Sequence, residues 1–303
     1  MQHTQQGASG LNQQIGRVGV IAATHRPEAL HWAVQYTRRL RELGVDVRVS
    51  EQLRGHCGDE FAYGDKQFLA DTDLVIVLGG DGTLLSMARC AGPVGTPMLG
   101  LDVGSFGFLA ADAPDVTMEQ LERVLTGDYM TESRQMLALS LENAAGEVIV
   151  EDSALNDVVI SSRDGERMVS LQTEIDGELL GTYRADGLIV ATPTGSTGYN
   201  LSAGGPVVEP NVSAIIVTAI CPHTVSSRPI VLPDTVEVRV TVPRDERHTG
   251  PIRATMDGQE THAVALEWSV VVKRAAHEAH LVRLRRDFYF ANLVEKLMPG
   301  LGG

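Results

Sequence analysis

The rhythm of apolar and polar positions along this chain changes once, near residue 130. Before that point, short apolar runs alternate with stretches of helical period. Arg17-Val18-Gly19-Val20-Ile21-Ala22-Ala23 reads as a strand, and Pro27 suits the first turn of a helix. Leu30, Ala33, Val34, Thr37, Leu40 and Leu43 then recur at helical spacing until Gly44 closes the helix. Val45-Asp46-Val47-Arg48-Val49 alternates as a second strand, whereas residues 52–70 read as irregular and polar. Leu74-Val75-Ile76-Val77-Leu78 is a continuous apolar run, expected of a strand buried on both faces of a parallel sheet. It runs into Gly79-Gly80-Asp81-Gly82, and Thr83 is expected near the cap of the following helix. Pro97-Met98-Leu99-Gly100-Leu101 is another buried strand. Thr117 and Gln120 stand at capping-box spacing before Leu121, Val124 and Leu125. Strands alternating with helices predict an open, Rossmann-like α/β domain over residues 16–130, with its site at the C-terminal ends of the strands.

After Tyr129 the period drops to two. Met136-Leu137-Ala138-Leu139-Ser140-Leu141, Val148-Ile149-Val150, Val158-Val159-Ile160 and residues 169–175 are strand-like, as are 214–219, 236–242 and 270–272. Turn residues separate them and helical period is nearly absent, so residues 131–285 are expected to form an antiparallel β domain. The fold class is thus α/β followed by β. Residues 1–15, rich in Gln, Gly and Ser, are expected to be disordered. In the tail, residues 286–303, Phe288 to Leu297 reads as a short amphipathic helix packing back on the first domain.

Composition narrows the partners. The chain has 303 residues, enough for two sizeable cores, and a formal net charge of -14. That charge argues against nucleic acid or an anionic membrane as partner. Lys66, Lys273 and Lys296 are the only lysines, so a nucleotide must be held by local arginines and backbone N–H groups. Cys57, Cys90 and Cys221 are few and scattered, and the nine histidines form no ligand-spaced cluster. No structural zinc or other protein-held metal is expected, and a reducing, cytoplasmic setting fits. The polar opening residues lack a signal-peptide pattern, and no apolar run reaches the length of a membrane span.

Two stretches carry candidate chemistry. A strand, a glycine turn and a helix N-terminus make an anion site at residues 74–85, because glycines let backbone approach a phosphate and the first-turn N–H groups point at it. Gly-Lys-Ser/Thr is missing, which excludes a P-loop, and Leu85 stands where a dinucleotide fingerprint needs its third glycine. A carboxylate repels phosphate, so Asp81 is expected to serve a proton or a metal, glycines on both sides leaving it unobstructed; the plainer alternative is an Asp-Gly turn. The second stretch, Tyr183 to Pro206, passes from an Asp186-Gly187 turn through an apolar strand into small, hydroxyl-bearing and glycine positions. It reads as a long loop offering donors to a nucleotide, or as a flexible surface loop.

Gly79-Gly80-Asp81-Gly82-Thr83, Asn156-Asp157, the segment from Asp186-Gly187 to Pro206, and Asp257-Gly258-Gln259 together resemble the NAD kinases, in order and spacing over residues 17–295. The glycine element alone also resembles lipid kinases and phosphofructokinases; Thr192-Pro193-Thr194-Gly195-Ser196-Thr197 with Ser202-Ala203-Gly204-Gly205-Pro206 is more specific. The resemblance implies ATP-dependent phosphorylation of the 2′-hydroxyl of the adenosine ribose of NAD, with a divalent cation, Mg²⁺, carried by ATP. It implies Asp81 as catalytic base with Gly82 beside it in the NAD site. It places Asn156, Asp157, Arg167, Arg184 and Asp186 at NAD-contacting positions, Thr197, Gly198, Tyr199, Asn200, Leu201 and Ser202 along the nucleotide, and Gln259 closing the site. The second domain becomes β-sandwich-like, and the assembly a homodimer or homotetramer in which a neighbour's loops complete the site. The resemblance leaves the donor open between ATP and polyphosphate.

This sequence departs from the family pattern at Asp157, where glutamate is usual, at Asp102, where asparagine is usual, and at Gly198, where alanine is usual. Asp102 is read either as an extra anion near a pyrophosphate or as a strand-end cap facing solvent. A lipid kinase of the diacylglycerol type and a nucleotide-binding regulator without turnover remain as rival readings.

Overall fold

A computed structural model describes residues 14–104, 107–110, 112–162, 168–223, 227–244, 251–284, 293, 294 and 297. The chain divides into two compact units: one runs up to Glu132 and resumes at His280, and the other is Ser133–Ala279.

In the first unit the elements are β1 (Arg17–Ala22), α1 (Pro27–Glu42), β2 (Asp46–Ser50), β3 (Ala62–Gly64), α2 (Lys66–Ala70), β4 (Leu74–Gly79), α3 (Asp81–Ala91), β5 (Met98–Asp102), α4 (Pro114–Glu119) and α5 (Leu121–Leu125). The strands lie in the order β3-β2-β1-β4-β5, all parallel. Val18, Val20, Ile76, Leu78, Leu99 and Leu101 share a core with Ala29, Ala33, Tyr36 and Leu40 of α1. Leu121, Val124 and Leu125 of α5 join that same core, and the opposite face is covered by α2 and α3. A Cβ on Gly19 would stand 3.0 Å from the Leu69 carbonyl of α2, and one on Gly100 would stand 2.4 Å from Leu84 of α3. Helices on both faces explain why β4 is buried at every position and reads as an unbroken apolar run.

Local starts and stops differ from expectation in three places. Helix α3 begins at Asp81 with Gly80 as its cap, so Thr83 lies inside the first turn. Residues 52–70 hold β3 and α2, with Asp65 capping α2 by accepting the Phe68 N–H at 2.9 Å. Thr117 is buried within α4, and Gln120 separates α4 from α5 rather than completing a capping box. Of the expected tail helix only Leu293, Val294 and Leu297 are described, and all three are helical.

The second unit is built of β7 (Val148–Ala154), β8 (Asp157–Ser162), β9 (Val169–Ile175), β10 (Glu178–Ala185), β11 (Gly187–Ala191), α6 (Tyr199–Ser202), β12 (Ala214–Ile220), β13 (Ile230–Pro233), β14 (Val238–Thr241), β15 (Ile252–Met256) and β16 (Glu260–Val264). It also takes most of β6 (Met130–Glu142) and β17 (Ser269–Arg283). One sheet has six strands, β13-β12-β11-β8-β15-β16, each pair antiparallel. The other runs β10-β9-β14-β17, with β6 on β17 and β7 on β6. Leu137 and Leu139 of the second sheet share one core with Val158, Ile160, Leu188 and Val190 of the first. This is a sandwich, and strands such as β9 and β14 alternate buried and half-buried positions accordingly. Strands β11 and β12 are instead buried on both faces, because Ala203 and Val208 of the segment after β11 pack on Ile189, Ala191 and Ile216.

Candidate active site

In the first unit the chain goes from β1 outward to β3 and returns to lay β4 on the other side of β1. The strand order therefore reverses between β1 and β4, which is where parallel sheets open a crevice at their C-terminal ends. Asp81 stands there. Gly79 permits it, because a Cβ on that residue would lie 2.6 Å from the Thr83 hydroxyl and prevent the helix from starting so close to the strand.

The Asp81 carboxylate is engaged, contrary to the expectation that bare glycines leave it unobstructed. Its Oδ2 accepts the Phe108 N–H at 2.8 Å, and its Oδ1 accepts the N–H groups of Leu109 at 3.0 Å and Ala110 at 3.1 Å. Gly107 allows this approach, since a Cβ there would fall 1.9 Å from Asp81 Oδ1. The 107–110 strip is itself anchored. Asp102 Oδ2 accepts the Gly107 N–H at 3.0 Å, and the buried Arg283 donates to the Leu109 carbonyl at 2.9 Å and to Glu132 at 2.9 Å. Asp102 is thus a loop anchor, 9% exposed, and its solvent-facing reading is corrected. Gly82, the next residue of α3, is exposed.

In the second unit three segments converge at the start of β8. The Asp257 carboxylate takes the N–H groups of Leu155 (3.1 Å), Asn156 (2.7 Å) and Asp157 (3.3 Å). The Thr192 hydroxyl donates to the Leu155 carbonyl at 2.6 Å and accepts the Gly195 N–H at 3.0 Å. Gly195 crosses so closely that a Cβ would come 2.1 Å from the Asn156 carbonyl oxygen. A Cβ on Gly198 would stand 3.4 Å from Asn156 Nδ2 and 3.9 Å from Asp157 Oδ2, so Asn156, Asp157, Thr197 and Gly198 form one cluster. Asp157 is buried, and its carboxyl is pushed up to about 7, first by burial and then by the Asp257 charge. The buried Oδ1 of Asn156 accepts no hydrogen bond among the described residues.

The segment from 192 to 208 is folded rather than an open loop. It holds a 3₁₀ turn over Thr194–Thr197 and then α6. Asn200, expected along the nucleotide, is fully buried and committed inward. Its amide donates to the Ser196 and Pro206 carbonyls, each at 3.1 Å, and its Oδ1 accepts the Thr218 hydroxyl at 2.7 Å. Tyr199 and Ser202 on the same turn are exposed, and Leu201 is half-buried. Gln259 is exposed on the β15–β16 turn beside Asp257.

Arg184 and Asp186 are not part of this cluster. Asp157 pairs with Ala191 and Ser161 with Gly187, so Asp186 lies at the other end of the β8–β11 pair. Both residues are exposed there. Arg167 lies outside the described residues. Sequence reasoning gave Asp257 no role of its own. Its signal was an Asp-Gly pair at a left-handed position, φ 51°, where a short acidic side chain is tolerated and can reach back to backbone N–H groups.

Two family models match the chain: the ATP-NAD kinase N-terminal domain over residues 18–129 and the ATP-NAD kinase C-terminal domain over residues 155–284. The NAD kinase of Geobacter sulfurreducens is 40% identical over 285 residues, covering 94% of this chain and 99% of the relative. The chain belongs to the NAD kinase family. The NAD kinase of Heliobacterium modesticaldum agrees, at 38% identity over 93% of this chain and 99% of its own length. Among solved structures, yeast NADH kinase complexed with NADH superposes with a TM-score of 0.86 at 24% identity, over 96% of this chain and 89% of that one. The Archaeoglobus fulgidus NAD kinase in complex with ATP gives 0.71, also at 24% identity, over 92% and 97%. At that identity the two structures establish the shared fold, an α/β unit with a β-sandwich unit. These matches lend no support to the lipid-kinase alternative.

Proposed function

We propose that this NAD kinase family member transfers the γ-phosphoryl group of ATP to the 2′-hydroxyl of the adenosine ribose of NAD, releasing NADP and ADP. The observation that carries the reading is the Asp81 carboxylate. A carboxylate offers about four acceptor positions. Three are taken by Phe108, Leu109 and Ala110, two of them on Oδ1. The remaining position, on Oδ2, has no partner among the described residues, and the N–H groups fix its direction. Phosphoryl transfer asks the protein for alignment, charge stabilisation and an acceptor for the hydroxyl proton. Asp81 Oδ2 takes that proton as the ribose oxygen attacks phosphorus and the bond to ADP breaks.

The N-terminus of α3, the element that begins at Asp81, presents backbone N–H groups beside the phosphate path. Asn156, Asp157 and Gly198 are read as NAD contacts, with Tyr199, Ser202 and Gln259 as accessible groups around them and Gly82 beside the base. The divalent ion, Mg²⁺, is read as part of the Mg·ATP substrate. Arg184 and Asp186, remote from Asp157 along the strand, support a homo-oligomer in which a neighbouring copy brings such residues to the site. A cytoplasmic setting is read from cysteine usage: Cys57, Cys90 and Cys221 form no disulfide. No helix among the described residues is long and apolar enough to cross a membrane.

The test is incubation of the chain with NAD and Mg·ATP, reading NADP with an NADP-specific dehydrogenase. NADP formation is expected. Tight NAD binding without NADP would favour the regulator.

A further inference from the structure

The glycine loop lies among carboxylates, and a triphosphate brought there needs a cation. Asp81 and Asp102 sit at the ends of β4 and β5. No lysine occurs in the loops after β1, β4 or β5. Arg283, which reaches the 107–110 strip, is buried and spent on Glu132 and the Leu109 carbonyl. Elsewhere on the sheet Arg17 is paired with Asp46 and Arg48 with Asp71.

Arg26 differs. It precedes Pro27 of α1 in the loop that leaves β1, across the reversal point from Asp81. Its Nη1 donates to the Val103 carbonyl at 2.9 Å. A Cβ on Gly104 would stand 2.6 Å from that nitrogen, and a Cβ on Gly80 would stand 3.9 Å from Nη2. Gly104 also has φ +152°, so a side chain there would be strained and would displace the guanidinium. The fork therefore reaches from the loop after β5 to the glycine before Asp81. Among the described residues it makes that one hydrogen bond and no ion pair, leaving most of its donors open.

We infer that Arg26 binds the phosphate chain of the phosphoryl donor, holding it over the glycine loop beside Asp81. This deepens the proposed NAD kinase reading and rests on it. A guanidinium grips phosphate oxygens through paired N–H groups, so it suits the triphosphate of a nucleotide or an inorganic polyphosphate equally. It also offsets the repulsion that the two carboxylates exert on an incoming polyanion.

Steady-state kinetics of the full chain tests this. Arg26→Gln keeps an N–H donor for the Val103 carbonyl and removes the charge. It is expected to raise KM for Mg·ATP about tenfold or more, the loss of roughly one charged hydrogen bond, with KM for NAD within about twofold. Inorganic tripolyphosphate, a competitor carrying the phosphates alone, should weaken by the same factor, while inhibition by adenosine stays unchanged. Arg26→Lys should restore part of the ATP affinity. Activity with tripolyphosphate itself as donor, compared with ATP, separates the two phosphate sources. Should Arg26→Gln fail to fold, arginine modification of the wild-type chain by phenylglyoxal decides: tripolyphosphate is expected to protect Arg26 and NAD is not. Equal KM values for ATP in wild type and variant, a change confined to NAD, or protection by NAD alone would overturn the assignment. A wild-type chain that makes no NADP would instead overturn the kinase reading.

Discussion

Asp81 and Asp257 meet the backbone in the same way and end in different work. Each carboxylate accepts three successive N–H groups, those of residues 108–110 for Asp81 and of 155–157 for Asp257, with two on Oδ1 and one on Oδ2. What separates them is what lies on the open side. Asp81 is half-buried at the mouth of a parallel sheet, and among the described residues its Oδ2 accepts only the Phe108 N–H. Asp257 is 8% exposed and faces Asp157, whose carboxyl it helps to push up to about 7. The same backbone arrangement holds the proposed base in one unit and, in the other, a turn that carries the Asn156 and Asp157 side chains. The two carboxylates share their amide donors and differ in access, which is what the proposed proton transfer requires.

The largest expected effect comes from Asp81→Asn. The amide retains an acceptor for part of the 108–110 strip but cannot take the ribose proton, so kcat should fall by at least about 10²-fold. Thermal denaturation should show a folded protein. Undiminished turnover in that folded variant would place the base elsewhere.

Asp257→Ala should act on stability. It leaves the N–H groups of Leu155, Asn156 and Asp157 without their carboxylate, at a cost of about 2–4 kcal/mol read from a urea transition. Asp257→Asn, which retains one acceptor oxygen, should cost less. If Asp257→Ala were as stable as wild type, the likeness between the two carboxylates would be superficial.

Asp157 gives the comparison a pH signature. Its folded value, about 7, lies above the ordinary value of about 3.9 for an exposed aspartate. Between those values the folded chain holds a proton that the unfolded chain has released. The contribution to stability is therefore fully present below about pH 4 and is lost as pH rises through about 7. Asp157→Asn should flatten that decline and make the protein more stable than wild type at pH 8, by roughly 1–4 kcal/mol. An unchanged pH dependence would show that Asp157 titrates normally.

The smallest effect is expected at Gln259, exposed beside Asp257. Gln259→Ala should leave unfolding within about 0.5 kcal/mol of wild type. A rise of a few-fold in KM for NAD would separate its ligand role from the structural role of its neighbour; an unchanged KM would remove it from the site.

Much of this is legible in the sequence. Strand β4, the glycine turn and α3 follow from an unbroken apolar run and three glycines, because burial on both faces leaves no polar position to confuse the period. The β unit showed itself by its alternation. What escapes the pattern at the two carboxylates depends on contacts across long sequence distances. The N–H groups that hold Asp81 come from residues 108–110 and carry no side-chain mark. Asp257 reads locally as an ordinary turn residue, yet its partners lie about 100 positions away. The small polar residues of 192–208 read as loop because Ser196 and Asn200 satisfy backbone groups that a sequence cannot pair. Strand β3 and helix α2 escape the pattern because, at three and five residues, neither is long enough to show a period, and Lys66 and Gln67 open α2 with polar positions.

The central claim is that Asp81 Oδ2 receives the proton of the adenosine ribose 2′-hydroxyl. A crystal structure of the chain with NAD bound measures it directly. The account predicts that oxygen within hydrogen-bond reach, about 2.6–3.2 Å, of the ribose 2′-oxygen. A 2′-oxygen facing a different carboxylate, with Asp81 still turned to residues 108–110 and no path between them, would contradict it.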